Sequence, residues 1–166
     1  MSTRLRLLDT QLEEIHLDLS RPHLFAAERV GFLTCGLARV ASDSLVLLGN
    51  CWHRVADEDY LDDPRVGACI GPAAFRKILQ YAYHEAVSVL HVHRHDHYGT
   101  PSFSSIDTRS AREYVPGFFN VRRSHPHGAL VLSLDNGAGE IWLPSQLDPR
   151  PIDRVDIIGV PLRRWP

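Results

Sequence analysis

The sequence predicts an α+β fold, an α/β/α-like sandwich in which helices flank one central mixed β-sheet. Apolar segments of strand length recur along the chain, segments of helical periodicity separate them, and turn sequences indicate hairpins near both ends. The 166 residues are 44% hydrophobic and 23% charged, which is typical of one globular domain. We therefore expect residues 1–166 to form a single domain.

The first half of the chain predicts a strand, a helix and a β-hairpin. Residues 3–8 are expected to form a short strand, and residues 10–18 a short helix. The apolar segment 28–40 indicates a buried strand, and residues 44–55, rich in Val, Leu and Trp, indicate a second. The turn sequence at 41–43 joins these two strands, so we expect them to pair as a hairpin.

The second half predicts two helices, the strand between them and another hairpin. Pro72 suits the first turn of a helix, where its missing N–H costs nothing, and Ser104 or Ser105 is placed to cap the next helix. Asn136-Gly137 supplies the positive φ angles of a tight hairpin turn. The expected ranges are helices over 73–85 and 106–114, and strands over 87–92, 129–134, 139–143 and 155–162.

Composition and charge exclude several classes of protein. The 18 Lys and Arg residues against 20 Asp and Glu give a net charge of −2, which argues against broad binding of nucleic-acid phosphates. No apolar run approaches the ~20 residues of a membrane span, and the charged N-terminus lacks the apolar stretch of a secretory signal. The 3 cysteines form no Cys-x-x-Cys pair, which favours a reducing compartment. We expect a cytoplasmic protein without nucleic-acid or membrane partners.

Histidine is the outlier in composition and gives the first indication of function. The chain has 10 histidines, and 5 of them lie between His84 and His97. Alternate residues of a strand share a face, so His91, His93 and His95 would point the same way. Two imidazoles and one carboxylate make three ligands to Zn²⁺ and leave its fourth position open for catalysis. Asp107, across a short loop, supplies such a carboxylate.

A hydrolytic zinc site also needs groups that move protons and stabilise negative charge. Glu28 is the best candidate for the general base, because a carboxylate is otherwise out of place at the entry to a buried strand. Ser104 is a candidate donor to a developing oxyanion. Its alternative role is that of a helix N-cap.

This constellation resembles the JAMM metalloproteases, also called MPN+ or JAB domains. That family carries an upstream Glu, then His-x-His, a short loop and Ser-x-x-Asp. Glu28, His93-Arg94-His95 and Ser104-Ser105-Ile106-Asp107 match these elements in order, and the likeness covers roughly residues 20–145. Two departures are the 8 residues between His95 and Ser104, where the family usually has seven, and Asp96, where it often has Pro.

The resemblance implies an MPN-type domain and a specific mechanism. Zn²⁺ would be held by His93, His95 and Asp107, Glu28 would accept a proton from water and pass it to the leaving amine, and Ser104 would help to stabilise the oxyanion. JAMM enzymes typically cut peptide or isopeptide bonds after the C-terminal tail of ubiquitin or a ubiquitin-like protein. A single small domain is similar to the prokaryotic deubiquitinase-like branch, whose members are often encoded beside E1-like and E2-like proteins, some in antiphage defence.

Other assignments remain open from the sequence alone. The pairs His91/His93 and His95/His97 are alternative registers for the metal ligands. A non-catalytic MPN-type scaffold that binds a partner protein is a second function. A metal-dependent phosphoesterase is a third, with extra ligands from the acidic segment 57–63 or from His125 and His127.

Overall fold

Nine strands and three α-helices make up the described part of the molecule, which confirms a mixed α and β architecture. The structure is a computed structural model of the chain and describes residues 1–41 and 43–166. No helix in these ranges is both long and apolar enough to cross a membrane. The elements are β1 (Ser2–Leu8), α1 (Asp9–Leu19), β2 (Val30–Ala41), β3 (Ser44–Arg54), α2 (Pro72–His84), β4 (Ser88–Arg94), α3 (Ser105–Phe119), β5 (His127–Leu132), β6 (Gly137–Trp142), β7 (Arg150–Pro151), β8 (Arg154–Ile158) and β9 (Arg163–Trp165).

All nine described strands belong to one mixed sheet, in the order β7-β6-β5-β4-β2-β3-β1-β8-β9. β2 pairs antiparallel with both β3 and β4, and β4 pairs parallel with β5. The predicted hairpins β2–β3 and β5–β6 are both confirmed. Of the predicted turn at 41–43, Ser42 lies outside the described residues. The pairing places the start of β2 beside the end of β4.

The two faces of the sheet carry separate apolar cores. Neighbouring strand residues alternate between them, as Leu33 and Leu90 join one core while Phe32 and Val89 join the other. Helix α1 packs on the first face through Leu12, Ile15 and Leu19. Helices α2 and α3 pack on the second, through Ala74, Ile78, Ala82 and Phe118.

Sequence cues set the beginnings of both helices on the second face. Pro72 occupies the first turn of α2, as predicted. Ser104 caps α3, because its hydroxyl accepts a hydrogen bond from the Asp107 N–H at 3.1 Å. The Asp107 carboxylate accepts in return from the Ser104 N–H at 2.7 Å. This reciprocal capping box fixes Asp107 in the first turn of the helix.

Several predicted boundaries were wrong. β5 and β6 each begin two residues before their predicted starts, so Gly137 lies in β6 rather than in the turn. β4 runs on to Arg94 and includes two histidines, rather than ending at residue 92. α3 continues to Phe119 instead of stopping near residue 114, because Val115 and Phe118 are buried and hold the helix on the sheet despite Pro116. The last predicted strand, 155–162, ends early, as β8 at Ile158, and the short strands β7 and β9 were missed.

Candidate metal centre

The end of β4 directs the histidine side chains to the face of the sheet covered by α2 and α3. His91 lies opposite Phe32 and His93 opposite Val30 in the β2–β4 register. The pairing of β4 with β5 continues one residue beyond β4, because the His95 N–H donates to the Leu132 carbonyl at 2.8 Å. The rings of His93 and His95 therefore approach each other, with centroids 5.0 Å apart.

Asp107 completes a group of three ligand atoms. Its Oδ2 lies 3.5 Å from His93 Nε2 and 3.9 Å from His95 Nε2. One ligand atom from each residue lies within 4.8 Å of the others. Ligands at zinc bond lengths and tetrahedral angles are ~3.3 Å apart, so small adjustments would let one ion contact all three.

His93 supplies the observation that tests whether a metal fits. Its side chain is only 5% exposed, and its Nε2 atom is buried without a hydrogen-bond partner among the described residues. Buried polar atoms nearly always have a partner, because an unsatisfied one costs about 1–3 kcal/mol. A metal ion between His93 and Asp107 would satisfy this nitrogen, and the donor set of two imidazoles and a carboxylate suits Zn²⁺.

The charge state of Asp107 also suits a ligand. Burial alone would raise the pKa of its carboxyl group. The neighbouring His93 ring and the hydrogen bonds with Ser104 outweigh burial and hold the pKa of Asp107 well below its usual range. The carboxylate is therefore ionised at neutral pH, as metal coordination requires.

A cavity of about 390 Å³ is lined in part by two of these ligands, His93 and Asp107. Glu28, Asp63, Asp107 and Glu113 contribute carboxylates to its lining, and none of the described lining residues is Lys or Arg. Such a cavity favours a cation over an anion. Its apolar walls include Val30, Ile70, Phe75, Phe103, Ile106 and Tyr114.

Glu28 lies where the sequence placed it, just before the strand β2. It is half-buried and lines the same cavity as His93 and Asp107. Its backbone N–H donates to the Gly67 carbonyl at 3.0 Å, which ties it to the opposite wall. The Glu28 side chain and these two ligands therefore share one cavity.

The remaining residues of the motif have different environments. Ser104 is exposed, serves as the helix cap and is not among the cavity-lining residues, so its role as an oxyanion donor stays a prediction. His91 lines the cavity beside Tyr114, and burial, with His93 adding to the effect, lowers the pKa of His91 to about 3. His97 is exposed, with Nδ1 2.9 Å from the Tyr98 carbonyl oxygen. Of the alternative registers, the structure brings only His93 and His95 together with Asp107 among the described residues.

Within the described residues, the phosphoesterase alternative gains no further ligand close to His93, His95 and Asp107. His127 is buried, with Nδ1 accepting from the Val89 N–H and Nε2 3.0 Å from the Arg122 carbonyl oxygen. In the acidic segment, Asp57 pairs with Arg29 and Asp59 with Lys77. These groups satisfy one another and lie outside the lining of the cavity described above. Asp63, from the same segment, does line the cavity, and its carboxylate pairs with Arg65 at 2.7 Å.

Sequence reasoning missed one whole wall of the cavity. The 61–70 loop, defined as the residues between Tyr60 and Gly71, contributes Asp63, Val66, Gly67, Ala68, Cys69 and Ile70. Nothing in this stretch has a periodic pattern or a chemical motif, and its acidic residues were considered only as extra ligands for the phosphoesterase alternative. No family model matches the sequence, and no curated protein sequence is significantly similar to it.

Proposed function

We propose that this chain is a JAMM-type zinc metallopeptidase of the MPN class, deubiquitinase-like, which hydrolyses a peptide or isopeptide bond after the C-terminal tail of a ubiquitin-like protein. One observation carries the proposal: His93, His95 and Asp107 converge on one point, and Glu28 lines the cavity beside them. Catalytic zinc sites have this three-ligand composition and an additional carboxylate for proton transfer.

His93, His95 and Asp107 would hold the ion, and the unpartnered His93 Nε2 supports this assignment. Zinc supplies an activated water and polarises the carbonyl of the bond to be cut. Glu28 is the general base in the proposal, taking a proton from the attacking water and returning it to the leaving amine. Ser104 is the proposed donor to the oxyanion oxygen.

The capping box gives the ligand set its rigidity. Asp107 is fixed by the Ser104 N–H on one side and by the helix α3 on the other. His93 lies within a central strand that is paired on both edges, with Val30 and with Val131. Ligands on such rigid elements keep a metal site in a reactive geometry without reorganisation at each turnover.

The substrate class rests on the resemblance of Glu28, His93-x-His95 and Ser104-x-x-Asp107 to the JAMM motif. The proposed partners are a ubiquitin-like protein or its conjugates, together with E1-like and E2-like proteins of the same system. A cytoplasmic setting and a role in bacterial antiphage defence belong to the same proposal.

The test uses zinc-loaded protein and ubiquitin fused through its C-terminus to a reporter protein. Cleavage directly after the ubiquitin tail, read by the mass of both products, is the expected result. Glu28→Gln should lower kcat by ~10²–10⁴-fold while zinc content stays unchanged, because it removes the base but no ligand. Glu85→Gln, the same change at an exposed helix end, is the matched control.

Two results would overturn the proposal. Full activity in Glu28→Gln would remove Glu28 from the mechanism. Failure of the zinc-loaded wild type to cleave fusions of ubiquitin and of bacterial ubiquitin-like proteins would remove the peptidase assignment and leave the non-catalytic scaffold.

A further inference from the structure

The segment that carries Glu28 is attached to the 61–70 loop and its flanks. The Glu28 N–H donates to the Gly67 carbonyl, and two residues later the Val30 N–H donates to the Tyr60 hydroxyl at 2.9 Å. That hydroxyl donates in turn to the Val30 carbonyl at 3.2 Å. Glu28 lies before the first residue of β2, outside any helix or strand, so these hydrogen bonds hold its backbone in place.

The 61–70 loop is itself closed at its base. Tyr60 and Ile70 form an antiparallel bridge, and the Leu61 N–H donates to the Cys69 carbonyl at 2.8 Å. The Gly71 N–H donates to the Asp59 carbonyl at 2.8 Å. With its ends paired in this way, the loop gives Gly67 a defined position against Glu28.

The space beside Gly67 is filled by the carboxyl group of Glu28. A Cβ atom built at Gly67 would lie 2.7 Å from Glu28 Cδ and 2.8 Å from Glu28 Oε2, closer than real Cβ contacts. The backbone of Gly67 does not require glycine, because its φ lies outside the left-handed region. Gly99 shows the opposite case, with φ at +88° and no atom near its Cβ position. Glycine is needed at residue 67 because it has no side chain to clash with the Glu28 carboxyl group, and not because of its backbone conformation.

We infer that Gly67 is a positioning residue for Glu28: its missing side chain leaves the space in which the carboxylate lies, at the wall of the cavity that His93 and Asp107 also line. The role of that carboxylate as the base rests on the proposed function. Any side chain at residue 67 displaces the end of a flexible Glu rather than backbone, so the fold tolerates the change. The displaced carboxylate then leaves its place in the cavity.

The first test is Gly67→Ala in zinc-loaded protein. We expect kcat to fall by ~10–100-fold with KM little changed, because a displacement of ~1 Å is enough to cost that much. Zinc content and Tm should stay at wild-type values. Gly117→Ala, which adds the same methyl group where no atom lies within 4 Å, is the control and should keep wild-type kcat.

A double variant separates positioning from a general structural effect. Gln has the size of Glu, so Glu28→Gln keeps the steric conflict and removes the chemistry. If Gly67 acts through Glu28, adding Gly67→Ala to Glu28→Gln lowers kcat no further. An equal loss in both backgrounds would overturn the inference.

The second test needs no activity and separates this inference from the proposed function. In metal-free protein with ¹³C-labelled glutamate, Gly67→Ala should shift the Glu28 carboxyl resonance, which is identified by its loss in Glu28→Gln. Gly117→Ala should leave it in place. If the wild type proves inactive, the proposed function fails while this spectrum still decides the positioning role. An unmoved resonance in Gly67→Ala would overturn it.

Discussion

The pairs His93/His95 and His125/His127 have the same spacing and opposite environments. β4 and β5 are neighbouring parallel strands, and one pair ends β4 while the other begins β5. His93 has a buried Nε2 without a partner in the described structure, 3.5 Å from the Asp107 carboxylate. Both ring nitrogens of His127 are engaged with backbone groups, and its ring packs against Phe118 and Phe119.

The difference between the pairs does not come from the motif. Each pair has one buried histidine, yet His93 of the first pair lines the 390 Å³ cavity, and among the described residues only the first pair has a carboxylate within reach. Because β4 and β5 are parallel, the pairs lie at opposite ends of these two strands, and the α3 capping box lies near the first pair only. An unsatisfied nitrogen and a third ligand distinguish a candidate site from a structural histidine.

The largest effect in this comparison is expected at His127, as a loss of stability with pH. Burial lowers the pKa of His127 to about 4, from the ordinary value of 6.5. As the pH falls from 6.5 to 4, the unfolded chain binds a proton at His127 that the folded protein does not. The unfolding free energy of metal-free protein should fall by up to ~3 kcal/mol from this group, measured by urea denaturation.

His127→Phe is the variant that isolates this contribution. It leaves the Val89 N–H and the Arg122 carbonyl without partners, so we expect a loss of ~3 kcal/mol at pH 7. Because Phe does not titrate, the difference in unfolding free energy between wild type and variant should narrow towards pH 4. A gap that stays constant over this range would show that His127 does not titrate as described.

A smaller effect is expected from Ser104→Ala, which tests what holds Asp107 beside the first pair. Loss of the cap hydrogen bond to the Asp107 N–H should lower the unfolding free energy by ~1 kcal/mol, measured by thermal or urea denaturation. If Ser104 also donates to the oxyanion, kcat should fall by ~10²–10³-fold at saturating zinc. An unchanged kcat would show that Ser104 acts only as the N-cap of α3.

Local patterns predicted most of the elements. α1, α2 and the β2–β3 hairpin follow from periodicity and Pro72. The β5–β6 hairpin was predicted but its turn was not, because Gly137 is the first residue of β6 and neither Asn136 nor Gly137 has a positive φ angle. The extension of α3 beyond Pro116 could not be predicted from the local sequence. Proline usually ends a helix, but the burial of Val115 and Phe118 against the sheet keeps α3 helical to Phe119. β7 and β9 are too short, at 2 and 3 residues, to show any periodicity.

The candidate site, too, could be predicted only in part from local sequence. His93, His95 and Asp107 could be selected because a strand and a helix start lie close in sequence. The contact between Glu28 and Gly67 joins residues far apart in the chain, and no local pattern encodes it. The structural role of His127 was equally hidden, since its partners, Val89 and Arg122, are brought to it only by the fold.

The most direct test of the central claim is the zinc content of the purified protein, with His93→Ala and His125→Ala measured in parallel by native mass spectrometry. We expect about one zinc per chain in the wild type and in His125→Ala, and at least a ~100-fold loss of affinity in His93→Ala, since a direct ligand should cost no less than the outer partners of a metal site. No zinc in the wild type after zinc is supplied, or zinc retained in His93→Ala and lost in His125→Ala, would contradict the assignment of the site.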